Sequence, residues 1–192
     1  KEEYYRDLEA VLDRLRLYGL KFSTHKCQFA KDSITFLGHE IFKDGYSAEK
    51  SKVQAIKDFK RPKTKGELKK YLGIVQFYAK FIKNCAEELA PLFDILKKYK
   101  KAHRNHSIDW SKYPEAERGF EKSKTGIAKE TMLNYPSKDG KLILSVDASD
   151  RSVGGVLYSE ENSVKKPLGY FSKKLDEKEK KESAFRRDLL AA

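Results

Sequence analysis

Residues Lys141-Leu-Ile-Leu-Ser-Val-Asp-Ala-Ser-Asp150, followed by Gly154-Gly155-Val156-Leu157, decide how this chain is read. An apolar run carries a carboxylate, Asp147, to the end of an expected strand, and small residues with a glycine pair open a second strand over 156–158. Buried strands rarely carry an acid unless it is paired or holds a metal. The same residues admit another use, a turn capped by Asp147 in an Asp-x-x-Asp loop. Downstream, residues 166–171 predict a third strand with Pro167 at its start, where a missing N–H is tolerated. The charged stretch 173–183 then leads to a helix beginning near Ala184.

Upstream, residues 120–133 predict a helix weakened by Gly126 and closed by Tyr135-Pro136, with Asp139-Gly140 turning into the first strand. Tyr4, Leu8, Val11, Leu12, Leu15 and Tyr18 recur at helical spacing, and Gly19 follows as a C-terminal cap. Residues 34–42 predict a strand interrupted by Gly38, and Ser47 is the expected N-cap of a short helix. Thr64-Lys-Gly-Glu67 has the capping-box spacing and opens a helix expected to reach Ile82. Its apolar row is Leu68, Leu72, Val75, Ala79 and Ile82, with Tyr71, Phe77, Tyr78 and Phe81 around it. Residues 89–96 predict a shorter helix with Pro91 in its first turn, and 100–111 an irregular basic link, its 100–105 portion the most mobile.

The 192 residues carry a net charge of +12, which favours a polyanionic partner. Lys60, Arg61, Lys63, Lys65, Lys69 and Lys70 face a single acid, Glu67, and a second cluster holds Lys97, Lys98, Lys100, Lys101 and Arg104. Such runs are commonly solvated faces, but basic clusters with interleaved aromatics also suit nucleic acid. Apolar residues make up 39%, enough for a core, and no run approaches the roughly 18 residues of a membrane span. Cys27 and Cys85 fit reduced thiols rather than a disulfide scaffold, and the histidines lack a zinc-knuckle spacing. The chain begins without methionine or a signal peptide, so a piece of a longer protein is expected.

The motifs together resemble gypsy-type LTR-retrotransposon Pol polyproteins. LEAVLDRLRLYGLKFSTHKC (8–27) is similar to the helix and strand that follow the polymerase aspartates, and ITFLGHEI (34–41) resembles the primer grip. KVQAIKDFKRPKTKGELKKYLGIVQFYAKFI (52–82) resembles the thumb, APLFDILKK (90–98) and IDW (108–110) the connection. DASDRSVGGVLYS (147–159) and LGYFSKKLDEKE (168–179) resemble the opening of the ribonuclease H-like domain. The resemblance implies an α+β fold with palm end and primer grip over 1–46, thumb over 47–99, connection over 100–138 and a partial ribonuclease H-like mixed sheet over 139–192. It also implies an RNA–DNA hybrid or DNA duplex as partner, held by Phe36, Leu37, Gly38 and His39 of the grip and by Arg61, Lys63, Lys65, Lys69 and Lys70 of the thumb. The remainder of the polyprotein is a further expected partner, and the expected location is intracellular, in cytoplasmic virus-like particles and the nucleus.

Asp147 is implied as a ligand of catalytic magnesium (Mg2+), with Asp188 as its partner. The family has a glutamate where Asp188-Leu-Leu-Ala191 stands, one methylene longer, and Phe185-Arg186-Arg187 replaces a stretch that usually carries a further acid. Lys60 and Lys83 stand in place of usual prolines, and Ser123 in place of a core leucine. No Tyr-x-Asp-Asp occurs, so the expectation is an enzyme segment that is inactive by itself. The competing expectations are a domesticated, non-catalytic nucleic-acid-binding protein and an interaction protein whose lysines only solubilise it.

Overall fold

The computed structural model describes residues 2–128 and 132–191. The chain divides into two compact units, Lys1–Asp32 and Ser33–Ala192. The first is built on helix α1 (Glu2–Leu17), with Glu2 and Glu3 in its first turn and Arg14 and Arg16 in its last, each sign matched to the helix dipole. Gly19, at φ +64°, ends it: Gly19 N donates to the Arg16 carbonyl at 3.1 Å and Leu20 N to the Leu15 carbonyl at 2.9 Å. That is the double closure expected of a left-handed glycine after a helix. A single 3-10 turn follows over Thr24–Lys26.

The second unit opens on an antiparallel meander, β1 (Ser33–Phe36), β2 (His39–Phe42) and β3 (Gly45–Ala48), which β4 (Leu133–Asn134) completes in the order β1-β2-β3-β4. Gly38 therefore does not interrupt one strand. Leu37 (φ 47°) and Gly38 (φ 79°) form the turn of a two-residue hairpin, where positive φ at both positions matches the twist of the strands. Ser47 lies in β3 opposite Glu40 and caps no helix; the sheet pairing outweighs its capping preference. Leu133, expected in a helix, pairs instead with Tyr46 and is fully buried.

Helices α2 (Lys50–Lys57), α3 (Lys65–Phe77), α4 (Cys85–Lys98) and α5 (Pro114–Ala128) follow, together with short 3-10 turns over Ala79–Phe81 and Trp110–Lys112. The capping box forms: Thr64 Oγ1 accepts from Glu67 N at 3.3 Å, and Glu67 Oε2 accepts from Lys63 N at 2.6 Å. Helix α3 stops at Phe77 rather than Ile82, and the turn after it swings Phe81 and Ile82 into the core. Pro91 sits inside α4, which starts four residues earlier than expected, at Cys85. Gly119 of α5 allows the close crossing there, since a Cβ on it would fall 2.3 Å from the Glu88 carbonyl oxygen.

One continuous core runs from Ala48 to Leu133, centred on Leu68, Tyr71, Leu72, Leu92 and Phe120. It crosses residues 99 and 100, because Tyr71 of α3 packs on Phe120 of α5 with ring centroids 4.7 Å apart. A second antiparallel sheet, β5 (Lys141–Ala148), β6 (Ser152–Glu161) and β7 (Val164–Lys174), follows in the order β5-β6-β7, then α6 (Ala184–Ala191). Pro167 lies within β7 rather than at its start, beside a register shift at Leu157/Tyr158 where a missing N–H breaks no regular ladder. This sheet docks on α4, where Ala86 N donates to Ser172 Oγ at 2.8 Å and Lys174 pairs with Asp94 at 2.6 Å.

Candidate nucleic-acid interface

The hairpin turn and the basic helix meet. Leu37 and Gly38 line a groove of about 790 Å³ with Lys52, Ile56 and Phe59 from the α2 side, and Lys69, Lys70, Gly73, Phe77 and Tyr78 from α3 and its end. Tyr78 anchors the turn: its hydroxyl donates to the Gly38 carbonyl at 3.2 Å, and Glu49 N donates to the same oxygen at 3.0 Å. His39 packs among Tyr46, Phe77, Tyr78 and Phe81, with ring centroids 5.3 to 6.1 Å away. Burial, and secondarily the Lys80 charge, push its pKa below the ordinary imidazole value, while the Leu37 carbonyl at 3.0 Å works the other way. A neutral ring thus helps hold the hairpin against the end of α3. Phe36 is exposed at the tip of β1, outside the groove lining.

Of the aromatic residues around α3, Tyr71, Tyr78 and Phe81 are buried core rings. Phe77 alone among these four is exposed, at 54%, and it lies on the groove. Lys69, Gly73 and Phe77 stand four residues apart, so they form one row on the helix surface. Sequence reasoning named the lysine and the ring but missed that row and Lys52; the i, i+4, i+8 spacing was the available signal.

The five expected basic contacts do not act alike. Lys63, Lys69 and Lys70 are exposed and make no ion pair among the described residues. Arg61 pairs with Glu117 and lies over the Trp110 ring at 5.8 Å, lining a separate cavity of about 750 Å³ with Lys60 and Lys63. Lys65 is half-buried, and its Nζ donates to the carbonyls of Lys100 (3.1 Å) and Ala102 (2.7 Å). The 100–105 stretch, expected to be the most mobile link, is therefore tied down. Lys65 N donates to the His106 carbonyl, Gly66 N to that of Arg104 and Ile108 N to that of Lys63, each at 2.9 Å. The orphan amides of the α3 first turn dictate this, because they need acceptors and the link supplies them.

In the second sheet, Asp147 faces Gly154 across β5 and β6. The glycine pair leaves room for close neighbours there, since Cβ atoms would fall 3.2 Å from the Phe171 carbonyl at Gly154 and 3.1 Å from the Ser145 carbonyl at Gly155, tighter than most Cβ contacts. The strand is not buried as its apolar run implied: Leu142, Leu144 and Val146 are exposed, and so is Asp147. The turn-capping use of Asp147 also fails. Ser149 caps that turn, its Oγ accepting from Arg151 N at 3.2 Å and Ser152 N at 3.0 Å. Helix α6, which carries the exposed Asp188, packs against β5 and β6. Arg187 and Asp150 fasten it with a 2.7 Å ion pair. Oxygen donors of this kind suit a hard divalent cation, yet no group of three or more candidate metal ligands occurs among the described residues.

A family profile described as the RNase H-like domain found in reverse transcriptase matches residues 113–192. The Retrovirus-related Pol polyprotein from transposon 297 of Drosophila melanogaster is 33% identical over 189 residues, which are 98% of this chain and 17% of that protein. The transposon Tf2-3 polyprotein of Schizosaccharomyces pombe is 27% identical over 192 residues, 100% of this chain and 14% of that protein. The chain thus spans less than a fifth of the curated relatives it matches. The foamy viral protease-reverse transcriptase dRH in complex with ds DNA superposes with a TM-score of 0.81 at 24% identity, over 99% of this chain and 32% of that one. The foamy viral protease-reverse transcriptase in complex with RNA/DNA hybrid gives 0.80 at 23%, over 99% and 25%. At such identity these likenesses establish the α+β fold. Along its whole length the chain is similar to stretches of retrotransposon Pol polyproteins, and its residues 113–192 match the RNase H-like domain found in reverse transcriptase.

Proposed function

We propose that this chain is the part of an RNA-directed DNA polymerase and ribonuclease H that grips the primer–template duplex, and that it does no chemistry alone. The carrying observation is the single groove shared by the Leu37–Gly38 turn and Lys69–Lys70. A turn that abuts the primer end and a helix with lysines and a flat row beside it suit a duplex followed through its backbone rather than its base edges. Similarity to reverse transcriptases solved with ds DNA and with RNA/DNA hybrid supports this partner. Within this reading 1–46 is the palm end and primer grip, 47–99 the thumb, 100–138 the connection and 139–192 the partial ribonuclease H-like domain, thumb and connection sharing one core.

Asp147 and Asp188 are the residues that would hold Mg2+, which supplies charge stabilisation and an activated water in two-metal phosphoryl chemistry. Two exposed carboxylates are too few to fix a pair of ions.

Fluorescence anisotropy with a labelled RNA–DNA hybrid tests the grip. For three to five phosphates contacted, log K should fall against log salt with a slope of about -3 to -4, with little dependence on sequence. Changing Lys63, Lys69 and Lys70 together to Ala should flatten that slope by roughly two to three units. An unchanged slope in the triple variant would place the duplex elsewhere.

A further inference from the structure

Sharing Lys69 and Lys70 with the groove is a cavity of about 550 Å³ lined also by Lys65, Gly66 and Arg104. A neighbouring one of about 500 Å³ shares Gly66, Lys70 and Arg104 and adds Glu67 and His103. A helix starts here, and its amides are the first candidates for holding an anion. They are all taken: Lys65 N by His106, Gly66 N by Arg104, Glu67 N by the Thr64 side chain and Leu68 N by the Thr64 carbonyl. Any anion at this place must be held by side chains.

The side chains sort themselves. Lys65 Nζ is engaged by two carbonyls, and the Glu67 carboxylate by the Lys63 amide. Arg104 is exposed and makes no ion pair or side-chain hydrogen bond among the described residues. Its backbone is fixed by the 2.9 Å bond from Gly66 N to its carbonyl, and its side chain lies across Gly66. A Cβ on that glycine would fall 2.7 Å from Arg104 Cγ and 3.1 Å from Nε. The glycine is thus the floor on which the arginine rests, and the guanidinium shares its cavity with the two lysines of α3.

We infer that Arg104, set in place by Gly66, contacts the backbone phosphates of the bound duplex and extends the track of Lys69 and Lys70 beyond the thumb helix. This rests on the duplex-gripping reading above. The guanidinium fork suits a phosphate, which it can bind through two parallel N–H groups. The role belongs to a residue of the link, far in sequence from the lysines it joins.

The salt dependence of hybrid binding by the full chain tests it, with thermal melting of each variant to confirm folding. Arg104→Ala keeps the carbonyl that accepts from Gly66, so it leaves the backbone tie intact. It should make the slope less negative by about 0.9 and weaken binding roughly ten-fold. Arg104→Lys should keep the slope and lose part of the affinity. Gly66→Ala alters no charge and improves helix propensity, yet should weaken binding several-fold by displacing the arginine. No binding by the unsubstituted chain overturns both readings. If Lys69→Ala with Lys70→Ala flattens the slope while Arg104→Ala leaves slope and affinity unchanged, the grip stands and Arg104 is removed from it. Unchanged affinity in Gly66→Ala overturns the seating of Arg104 on that glycine.

Discussion

The Tyr78 hydroxyl donates to the Gly38 carbonyl at 3.2 Å, so the residue that ends α3 also fixes the turn of the first hairpin. Tyr78→Phe removes that bond and leaves Glu49 N on the same oxygen, so it should cost about 1 kcal/mol of stability. Gly38→Ala meets two obstacles, a φ of 79° and a Cβ position 2.9 Å from the Tyr78 hydroxyl. It should cost about 1–3 kcal/mol. Urea unfolding of the two variants checks the order; a Gly38→Ala protein as stable as the parent would mean the turn is not held there.

Tyr71 and Ser123 form a polar pair inside the core, with oxygens 2.6 Å apart, and Ser123 Oγ donates onward to the Phe120 carbonyl at 2.8 Å. The serine that stands in place of a core leucine is therefore satisfied. Tyr71→Phe should cost about 1 kcal/mol, since Ser123 keeps its carbonyl partner. A double-mutant cycle with Ser123→Ala should return a coupling of about 0.5–1.5 kcal/mol. A coupling near zero would make the two hydroxyls independent.

Burial pushes the Tyr71 phenol up to about 12, with the Ser123 contact opposing it, and the Cys85 thiol up to about 12 from 9.0. Well below pH 9 both groups are neutral folded and unfolded, and their contribution is fully present. As pH rises from about 9 to about 12 the unfolded chain releases protons that the folded chain keeps, so stability falls and the contribution is gone above the folded values. Between about pH 8 and about pH 10.5 the loss from Cys85 alone should be about 2 kcal/mol. Cys85→Ala should lack that part of the drop in urea midpoint. An identical pH profile would show that the thiol ionises in place.

Lys65 ties the link to the first turn of α3 through the carbonyls of Lys100 and Ala102. The parent chain should therefore resist trypsin at Lys100 and Lys101. Lys65→Met should raise cleavage there several-fold, read by mass spectrometry at early times, because local opening governs access. Equal cleavage would mean the backbone bonds alone hold the segment.

Much of this arrangement was legible in the residues. The capping box at Thr64, the glycine stop at Gly19 and the Gly154-Gly155 crossing each depend on local chemistry, and local chemistry is written in sequence. What was hidden depends on partners distant along the chain. Nothing near Lys65 announces that its ammonium will serve carbonyls thirty-five residues later. Nothing near Ser47 says that β2 will claim it for a sheet. Pro91 misled for the same reason: the helix was begun by Asn84, in a left-handed conformation, and by the docking of Ala86 on Ser172, upstream of the proline that looked like its start. The motif singles out Asp147 as a candidate, but its exposure was not legible, since the apolar face of β5 argued for burial.

Asp147 and Asp188 stand on adjacent packed elements, β5 and α6, and neither carboxylate has a hydrogen bond or ion pair among the described residues. A divalent cation held by both carboxylates would bind the folded chain in preference to the unfolded one and so stabilise it. Magnesium at millimolar concentration should therefore raise the melting temperature slightly, and Asp147→Asn or Asp188→Asn should abolish that response while leaving the metal-free fold intact. Calcium, which accepts looser oxygen geometry, should act similarly in the parent chain. Because two ligands cannot hold two ions and orient a water, the chain should release no product from the RNA strand of a hybrid under the same conditions. A magnesium response that survives both substitutions would move the cation elsewhere. Hybrid cleavage lost with Asp147→Asn would show instead that this pair suffices for the chemistry.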